Sequence, residues 1–516
     1  MAIRISGLNS GLDTDSIVQE LVSAYRTKQD KYTKAQTKLS WKQDAWKEMN
    51  TKIYNFYSKS LSNMRRAGNF TNKKITTVSD STKAKVTASS GVVNGTQTLK
   101  VNQLATAGYL TGKKLKITDE EGKEAKIDSK TTLSALGVKD GTLKIKVGSE
   151  EKTVEVKADM TISDFTKALQ EQGVKANFDA TQQRFFLFSE ESGKSSDFNL
   201  VVDDADSLEL AENLGLATKQ NYEDVHGAGS ATNDMVFADK LDATNAIIEL
   251  NGAVFEGESN SFSINGLNIT ALSKSDEMTV TTATDVDGIY NMIKDFLKEY
   301  NEVVNAMESA YNAPTSKGYE PLTDSEKESM SDKEIEKWET KIKDSILRRD
   351  DTLRSVLSGM SMNMAKTFEV NGKKYSLASF GIKTAGYFNA AENESYAYHI
   401  DNDASDSVSS ANEDRLRKMI EEDPDAVTGF FTQLATKVYD NLHERMTSNP
   451  TLSSAYKVYN DKQMKEEYDD YTKTIKKWEE KLKDMEDYYY KKFSAMETAL
   501  AKLQSQTNSL SSLLGG

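Results

Sequence analysis

From Met464 onward the apolar residues recur at alternating steps of four and three: Met464, Tyr468, Tyr471, Ile475, Trp478, Leu482, Met485 and Tyr489, then Phe493, Met496, Leu500, Leu503, Thr507, Leu510 and Leu514. That alternation puts them on one seam of a helix. The join from Met485 through Tyr489 to Phe493 takes two steps of four, a stutter that locally unwinds a left-handed supercoil without breaking the helix. Lys, Glu, Asp and Gln fill the positions between, so the outer face is solvated. No single-domain core needs a helix this long, so the stripe must meet another helix, in this chain or in a neighbour. Periodicity alone fits an internal coiled coil that staples the chain ends together as well as it fits contact with a partner.

A chain of 516 residues is too long for one core and should split into roughly three or four domains. Its 66 basic and 80 acidic side chains leave a net charge of −14, mostly interleaved. A nucleic-acid partner would want a basic stripe, so that class is set aside. With no cysteine, disulfides and thiolate metal sites are out of reach, and redox chemistry says nothing of the compartment. Met1-Ala-Ile-Arg-Ile-Ser lacks the apolar run of a secretory leader, and no stretch of about 18 apolar residues is present to span a membrane. If the protein leaves the cell, the expected route needs no cleaved signal. The four prolines, Pro314, Pro321, Pro424 and Pro450, flank or separate helical patterns and read as punctuation.

In chain order, the glycine-containing run Ser6 to Asp15 opposes helix, and Asp13 or Thr14 can cap the helix that follows, with Asp15 at its positive end. Ile17, Leu21 and Ala24 begin a stripe that thins among lysines and returns at Trp46, Met49, Ile53 and Phe56. From Lys73 to Asp285 the period changes to two. Asn251-Gly252 and Asn265-Gly266 between apolar runs predict tight hairpins. A second unit, Gly108 to Ser230, is expected inside the first, in the order strand, strand, helix, strand, strand. Its helix has Ser163 as a possible cap and Gly173 as its stop. Helix resumes with Ile289, Ile293, Phe296, Tyr300, Val303 and Met307, and later over 414–421 and 425–446, where Asp423-Pro424 suits a helix start.

Ile5-Ser6-Gly7-Leu8-Asn9-Ser10-Gly11-Leu12-Asp13-Thr14, leading into Ile17-Val18-Gln19-Glu20-Leu21, resembles the N-terminal signature of the bacterial flagellar filament cap family, the hook-associated protein 2 family. Gly95-Thr96-Gln97 to Leu104-Ala105 resembles that family's entry into its first β domain, and Thr132-Leu133-Ser134-Ala135-Leu136-Gly137 a repeat shared with flagellin's variable region. Leu347-Arg348-Arg349-Asp350, Leu377-Ala378-Ser379-Phe380-Gly381-Ile382 and Asp423-Pro424-Asp425-Ala426-Val427 resemble its helical domain, and Phe493-Ser494-Ala495-Met496-Glu497 its closing helix. One departure is the polar run Glu392 to Asn402, where the family carries leucines.

The resemblance implies a multidomain α plus β fold: terminal coiled-coil legs (1-40 and 456-516), a helical domain from both chain ends (41-72 and 286-455), and two nested β-rich head domains (73-107 with 231-285, and 108-230). It implies a homo-oligomeric ring or plate at the flagellum tip, outside the cell, that retains exported flagellin and promotes its folding and insertion. Further implied partners are the hook-filament junction protein and an export chaperone of the flagellar secretion system. Ile17, Leu21, Ile475, Trp478, Leu482, Phe493, Met496, Leu500, Leu503 and Leu510 are the implied leg contacts. Alternatives are an adhesin whose head binds host mucin or glycans, and a flagellin-like filament subunit.

Other signals are weaker. Asp401-x-Asp403-x-Ser405 begins like a calcium loop, but Asp406 stands at the turn-glycine position and Asn412 at the twelfth, so a solvated acidic loop is expected. His443-Glu444-Arg445-Met446-Thr447 lacks the second histidine of a zinc helix, leaving His443 as a surface residue. No catalytic constellation is complete, so neither an enzyme nor a cofactor is expected.

Overall fold

Asp13 caps the first helix, α1 (Thr14–Asn55), accepting the Ser16 amide at 3.1 Å. The computed structural model describes residues 10–89, 91–118, 122–386, 388–447, 452 and 456–513. Ile5 to Asn9 of the N-terminal signature, Pro450 and Leu514 lie outside that set. The chain divides into a helical unit, Met1–Phe70 with Val286–Gly516, and a β-rich unit, Thr71–Asp285.

The β-rich unit opens with β1 (Lys74–Val78), β2 (Ala84–Ala88) and β3 (Gly95–Gln103), then β4 (Tyr109–Thr111). An inserted α+β layer follows: β5 (Gly141–Val147), β6 (Glu150–Val156), α2 (Ile162–Glu171), β7 (Val174–Asp179), β8 (Arg184–Ser189), β9 (Phe198–Val201), α3 (Ala205–Asn213), α4 (Lys219–His226) and β10 (Asp239–Leu241). The first layer resumes with β11 (Ala246–Leu250), β12 (Ala253–Gly257), β13 (Ser261–Ile264), β14 (Leu267–Ala271) and β15 (Met278–Thr284).

An antiparallel sheet of order β1-β15-β3-β11-β12 and a second of order β13-β14-β2 share a core that includes Leu99, Val101, Ile248 and Ile269. In the insert, sheets β10-β4-β8-β7 and β9-β5-β6 share another, around Ile145, Phe165, Phe185 and Phe198. Both predicted hairpins form. Asn251 and Gly252 have φ of 52° and 82°, and Asn265 and Gly266 of 46° and 78°, the left-handed pair that matches strand twist.

Three expectations need correction in this unit. The α2 cap is Thr161, in a reciprocal capping box with Asp164, rather than Ser163. α3 and α4 were not foreseen; each is short and starts at its own capping box. The insert also runs past Ser230, because β10 pairs with β4 and its ends close where Thr106 and Thr244 exchange backbone hydrogen bonds at 3.0 and 3.2 Å.

The helical unit continues with α5 (Val286–Asn312), α6 (Asp332–Asp344), α7 (Asp351–Met364), the hairpin β16 (Phe368–Val370) and β17 (Lys373–Tyr375), a short pair β18 (Ile382–Thr384) and β19 (Tyr398–Ile400), α8 (Arg415–Glu422), α9 (Pro424–Arg445) and α10 (Asp461–Leu513). Its core includes Ile53, Phe56, Tyr300, Phe380, Phe430 and Phe431. Asp423 caps α9 with Pro424 in the first turn, as read from sequence. Val458 and Tyr459, on the leg side of the expected boundary, are buried in this core, with Tyr459 stacked on Trp46 at 5.3 Å. The body therefore reaches slightly beyond 456.

A candidate assembly interface on the paired terminal helices

α10 is 53 residues long, about 80 Å at 1.5 Å per residue. The 42-residue α1 runs antiparallel along it. From the root outward, Gln36 Nε2 donates to Thr472 Oγ1 at 2.6 Å and to the Tyr468 carbonyl at 3.3 Å. Tyr32 meets Tyr471, and Tyr25 meets Trp478, each with ring centroids 6.4 Å apart. Gln29 Nε2 donates to Glu479 at 3.4 Å, and Arg26 pairs with Glu486 at 3.4 Å. Near the tip Tyr490 Oη donates to Asp15 at 2.8 Å, and Ser10 bonds the Glu497 carboxylate through both its amide and its hydroxyl. The two terminal stripes thus cover each other within one chain.

The face α1 presents is Val18, Val22, Tyr25, Gln29, Tyr32, Gln36, Leu39 and Trp46, an alternation of four and three with one step of seven. Val18, Val22, Leu39 and Trp46 are buried and the rest half-buried. Sequence reading missed this seam because its middle is built from Tyr and Gln, whose rings and amides pack while their polar ends bond across the pair. Ile17 and Leu21 sit beside it: Ile17 is half-buried and Leu21 is 43% exposed. On α10, Ile475, Trp478, Leu482, Phe493, Met496 and Leu500 are each half-buried, while Leu503 and Leu510 are 58% and 61% exposed. The one side chain of α10 that is buried among the described residues is Glu497, a carboxylate rather than an apolar group. One partner helix covers one flank of a stripe and leaves the other to solvent.

At the root, Asn50 grips the chain entering α10. Its Nδ2 donates to the Tyr456 carbonyl at 3.1 Å and its Oδ1 accepts the Val458 amide at 3.0 Å. Two ion pairs tie the neighbouring stretch of α1 to the body, Lys34 with Glu326 and Lys42 with Asp350, both at 2.8 Å. Lys34 is the leading reason that the Glu326 carboxyl lies below its ordinary range.

The polar run that departs from the resemblance has a definite place. Lys294, Asn301 and Glu308 lie seven apart on one face of α5 and hold it as a strap. Lys294 Nζ donates to Asp403 and Ser405, both at 2.8 Å; Asn301 bonds the Tyr398 amide and carbonyl, both at 2.8 Å; Glu308 accepts the Ser395 amide at 3.0 Å. Burial alone would raise the Asp403 carboxyl, but Lys294 and Ser405 outweigh it and hold it below its usual value. The calcium-like spacing is thus filled from within, with Asp401 taken by Asn412 at 2.7 Å and Lys383 at 3.4 Å. His443 is exposed as expected, yet its Nδ1 shares a 2.8 Å hydrogen bond with Tyr57 Oη and its ring stacks on Tyr439.

The matching family models and the two relatives below carry one name. A family model described as the flagellar hook-associated protein 2 C-terminus matches residues 243–505, and one described as its N-terminus matches 10–108. The chain is 22% identical to flagellar hook-associated protein 2 of Halalkalibacterium halodurans, covering 98% of this chain and 99% of that one. It is 25% identical to the protein of the same name from Thermotoga maritima, over 72% of this chain and 55% of the relative. Among solved structures it resembles the D1-D2-D3 domains of the flagellar cap protein from Escherichia coli at 17% identity and a TM-score of 0.46, covering 82% of this chain and 95% of that one.

Proposed function

This chain belongs to the flagellar hook-associated protein 2 family, and from that premise we propose how its parts serve assembly. It is a structural protein of the filament cap, at the distal tip of the flagellum and outside the cell, where exported flagellin is retained, folds and inserts. Copies of the chain assemble into a closed ring or plate. The paired α1 and α10 act as a leg, the remaining helices as the body, and the β-rich unit as the head, with Val458 and Tyr459 counted in the body. The hook-filament junction protein and an export chaperone complete the expected partners.

The observation that carries this reading is the half-covered seam. A helix pair that existed only to staple the chain ends would gain by closing around its apolar face. Here Ile475, Trp478, Leu482, Phe493, Met496 and Leu500 each keep an open flank, and Leu21, Leu503 and Leu510 are exposed. Covering the flank still open on each half-buried side chain returns roughly half of the about 1.5–3 kcal/mol of full burial, so several together offset the roughly 2–5 kcal/mol cost of ordering on assembly.

The test is a chain ending after Glu467, which keeps Tyr459 and Met464. It should melt as the full chain does, remain monomeric in analytical ultracentrifugation, and fail to restore filaments to cells lacking the full-length protein. Normal filaments on the truncated chain would refute the leg assignment.

A further inference from the structure

Asn-Gly occurs four times in the chain, beginning at Asn94, Asn251, Asn265 and Asn371. In this dipeptide the backbone nitrogen that follows reaches the side-chain amide carbon with least hindrance, because glycine carries no side chain to block the approach. By sequence the four are alike; by structure they are not. Asn251 Oδ1 accepts the Thr98 amide at 2.9 Å and its Nδ2 donates to Gln97 at 3.1 Å, so the turn between β11 and β12 is tethered to β3. Asn94 is also held at both ends, its Oδ1 accepting from Lys74 Nζ at 2.7 Å and its Nδ2 donating to Thr284 Oγ1 at 3.1 Å. Asn265 and Asn371 are exposed, and neither side chain has a hydrogen-bond partner among the described residues. These two differ at the glycine. The Gly266 carbonyl accepts both the amide and the hydroxyl of Ser89 at 2.7 Å, and a Cβ there would lie 2.6 Å from Val92 Cγ2. A Cβ at Gly372 would meet no atom within 4 Å.

We propose that Asn371, at the tip of the β16–β17 hairpin, is a site of spontaneous modification in the folded chain, converting to aspartate and isoaspartate. The Gly372 nitrogen attacks Asn371 Cγ and closes a five-membered imide; the Cγ–Nδ2 bond breaks, and Nδ2 leaves as ammonia with the proton that the attacking nitrogen gives up. Water then adds to one of the two imide carbonyl carbons. Breaking the Cγ–N bond yields aspartate; breaking the bond from the backbone carbonyl carbon yields isoaspartate, with the chain now running through Cγ. One water is consumed at this step, and nothing is oxidised or reduced. Asn251, Asn265 and Asn371 share a φ of 52°, 46° and 52°, so backbone conformation does not rank them. The ranking comes from the hydrogen bonds that must open first, each slowing the attack about tenfold. The aspartate form keeps the two-residue turn and gains Lys373 and Lys374 as cationic neighbours in sequence. The isoaspartate form adds one atom to the backbone, which a two-residue turn does not accommodate.

The test is peptide mapping by mass spectrometry on the full chain, kept folded in mildly alkaline buffer and sampled over weeks. Each conversion exchanges NH for oxygen and adds about one dalton. The peptide carrying Asn371 should convert about ten- to a hundredfold faster than those carrying Asn94 and Asn251, with Asn265 between. In urea, where the tethers are gone, the four rates should come within a few-fold of one another. Gln97→Ala, which removes one tether from Asn251, should speed conversion there by up to about tenfold and leave Asn371 unchanged. Asn371→Gln, whose longer side chain closes the corresponding ring poorly, should stay unmodified over the same period. An Asn371 that converts no faster than Asn251 in the folded chain would overturn the proposal. So would a ranking that persists in urea, since flanking sequence would then set the rates, or an Asn251 rate indifferent to the loss of Gln97.

Discussion

α5 and α10 carry stripes of the same period and meet opposite environments. On α5, Ile289, Ile293, Phe296, Tyr300, Val303 and Met307 step by four and three and are all buried. On α10, Ile475, Trp478, Leu482, Phe493, Met496 and Leu500 step likewise apart from the stutter, and all stay half open. The difference lies in the number of neighbours. α5 packs against the foot of α1, α7, α8 and the strap, whereas among the described residues α10 has α1 as its main neighbour along most of its length. Period therefore tells which residues share a face, but not how many surfaces close over it. A stripe closed on all sides is used up in folding; one closed on one side keeps a flank that a further partner can cover.

Truncation of a buried ring in the body should give the largest effect. Phe430 is fully buried, with ring centroids 4.8 Å from Phe380 and 5.2 Å from Phe431. Phe430→Ala should cost about 3–5 kcal/mol, measured by urea unfolding. All four tryptophans, Trp41, Trp46, Trp338 and Trp478, lie in the helical unit, so their fluorescence reports on that unit. Trp478→Ala should cost the body less than about 1.5 kcal/mol while hindering assembly. Equal losses of stability from the two substitutions would break the comparison.

Next in size is the strap. Lys294→Met removes the cation from the largely buried Asp403 and should cost about 2 kcal/mol at neutral pH. Because the folded Asp403 carboxyl lies below its ordinary 3.8, its stabilising contribution is full above that value and is lost as pH falls through the lower folded one. In the variant, burial is no longer opposed by the lysine and the folded value moves up. The gap between the two chains should therefore narrow on acidification below about pH 4. A gap independent of pH would mean that Lys294 acts by packing and not by charge. Among the described residues, the ion pair between α1 and α10 is no counterpart to this one, since Arg26 and Glu486 are 45% and 27% exposed.

What the sequence conveyed follows from the same distinction. Hairpins at Asn251-Gly252 and Asn265-Gly266 were legible because local backbone sterics decide them, and all four residues take positive φ. The α5 stripe was legible because a fully closed face excludes polar residues. The seam of α1 was not: facing one helix only, it tolerates Tyr25, Gln29, Tyr32 and Gln36, and an apolar template slides off it onto Ile17 and Leu21. The same holds for α3 and α4, whose capping boxes were present in sequence but whose stripes are too short to register. Of the ten leg residues, six lie along the helix pair half-buried on α10, Ile17 lies beside the seam, and the exposed Leu21, Leu503 and Leu510 were indistinguishable by period from the others.

Asn50 tests the joint between the two regions. Asn50→Ala removes both bonds to the Tyr456–Val458 backbone and should cost about 1–2 kcal/mol. The first turns of α10 should exchange amide hydrogens faster while those of α9 do not. Uniform acceleration across the body would show that root and core open as one.

The smallest effect should come from the pair that decorates the leg. Arg26 and Glu486 meet at 3.4 Å with side chains 45% and 27% exposed, so Glu486→Gln should weaken the α1–α10 pairing by only about 0.2–1 kcal/mol. Solvent and salt screen such a pair, so the difference from wild type should fade as ionic strength rises to about 1 M, where the screening length is about 3 Å. Amide exchange along residues 475–490 measures it locally, where a global melt would miss it. The half-buried contact of Tyr25 with Trp478 is apolar and should survive that salt. If Glu486→Gln instead separated the helices outright, charge would hold the leg together, and the half-covered stripe could not be its main cohesive surface.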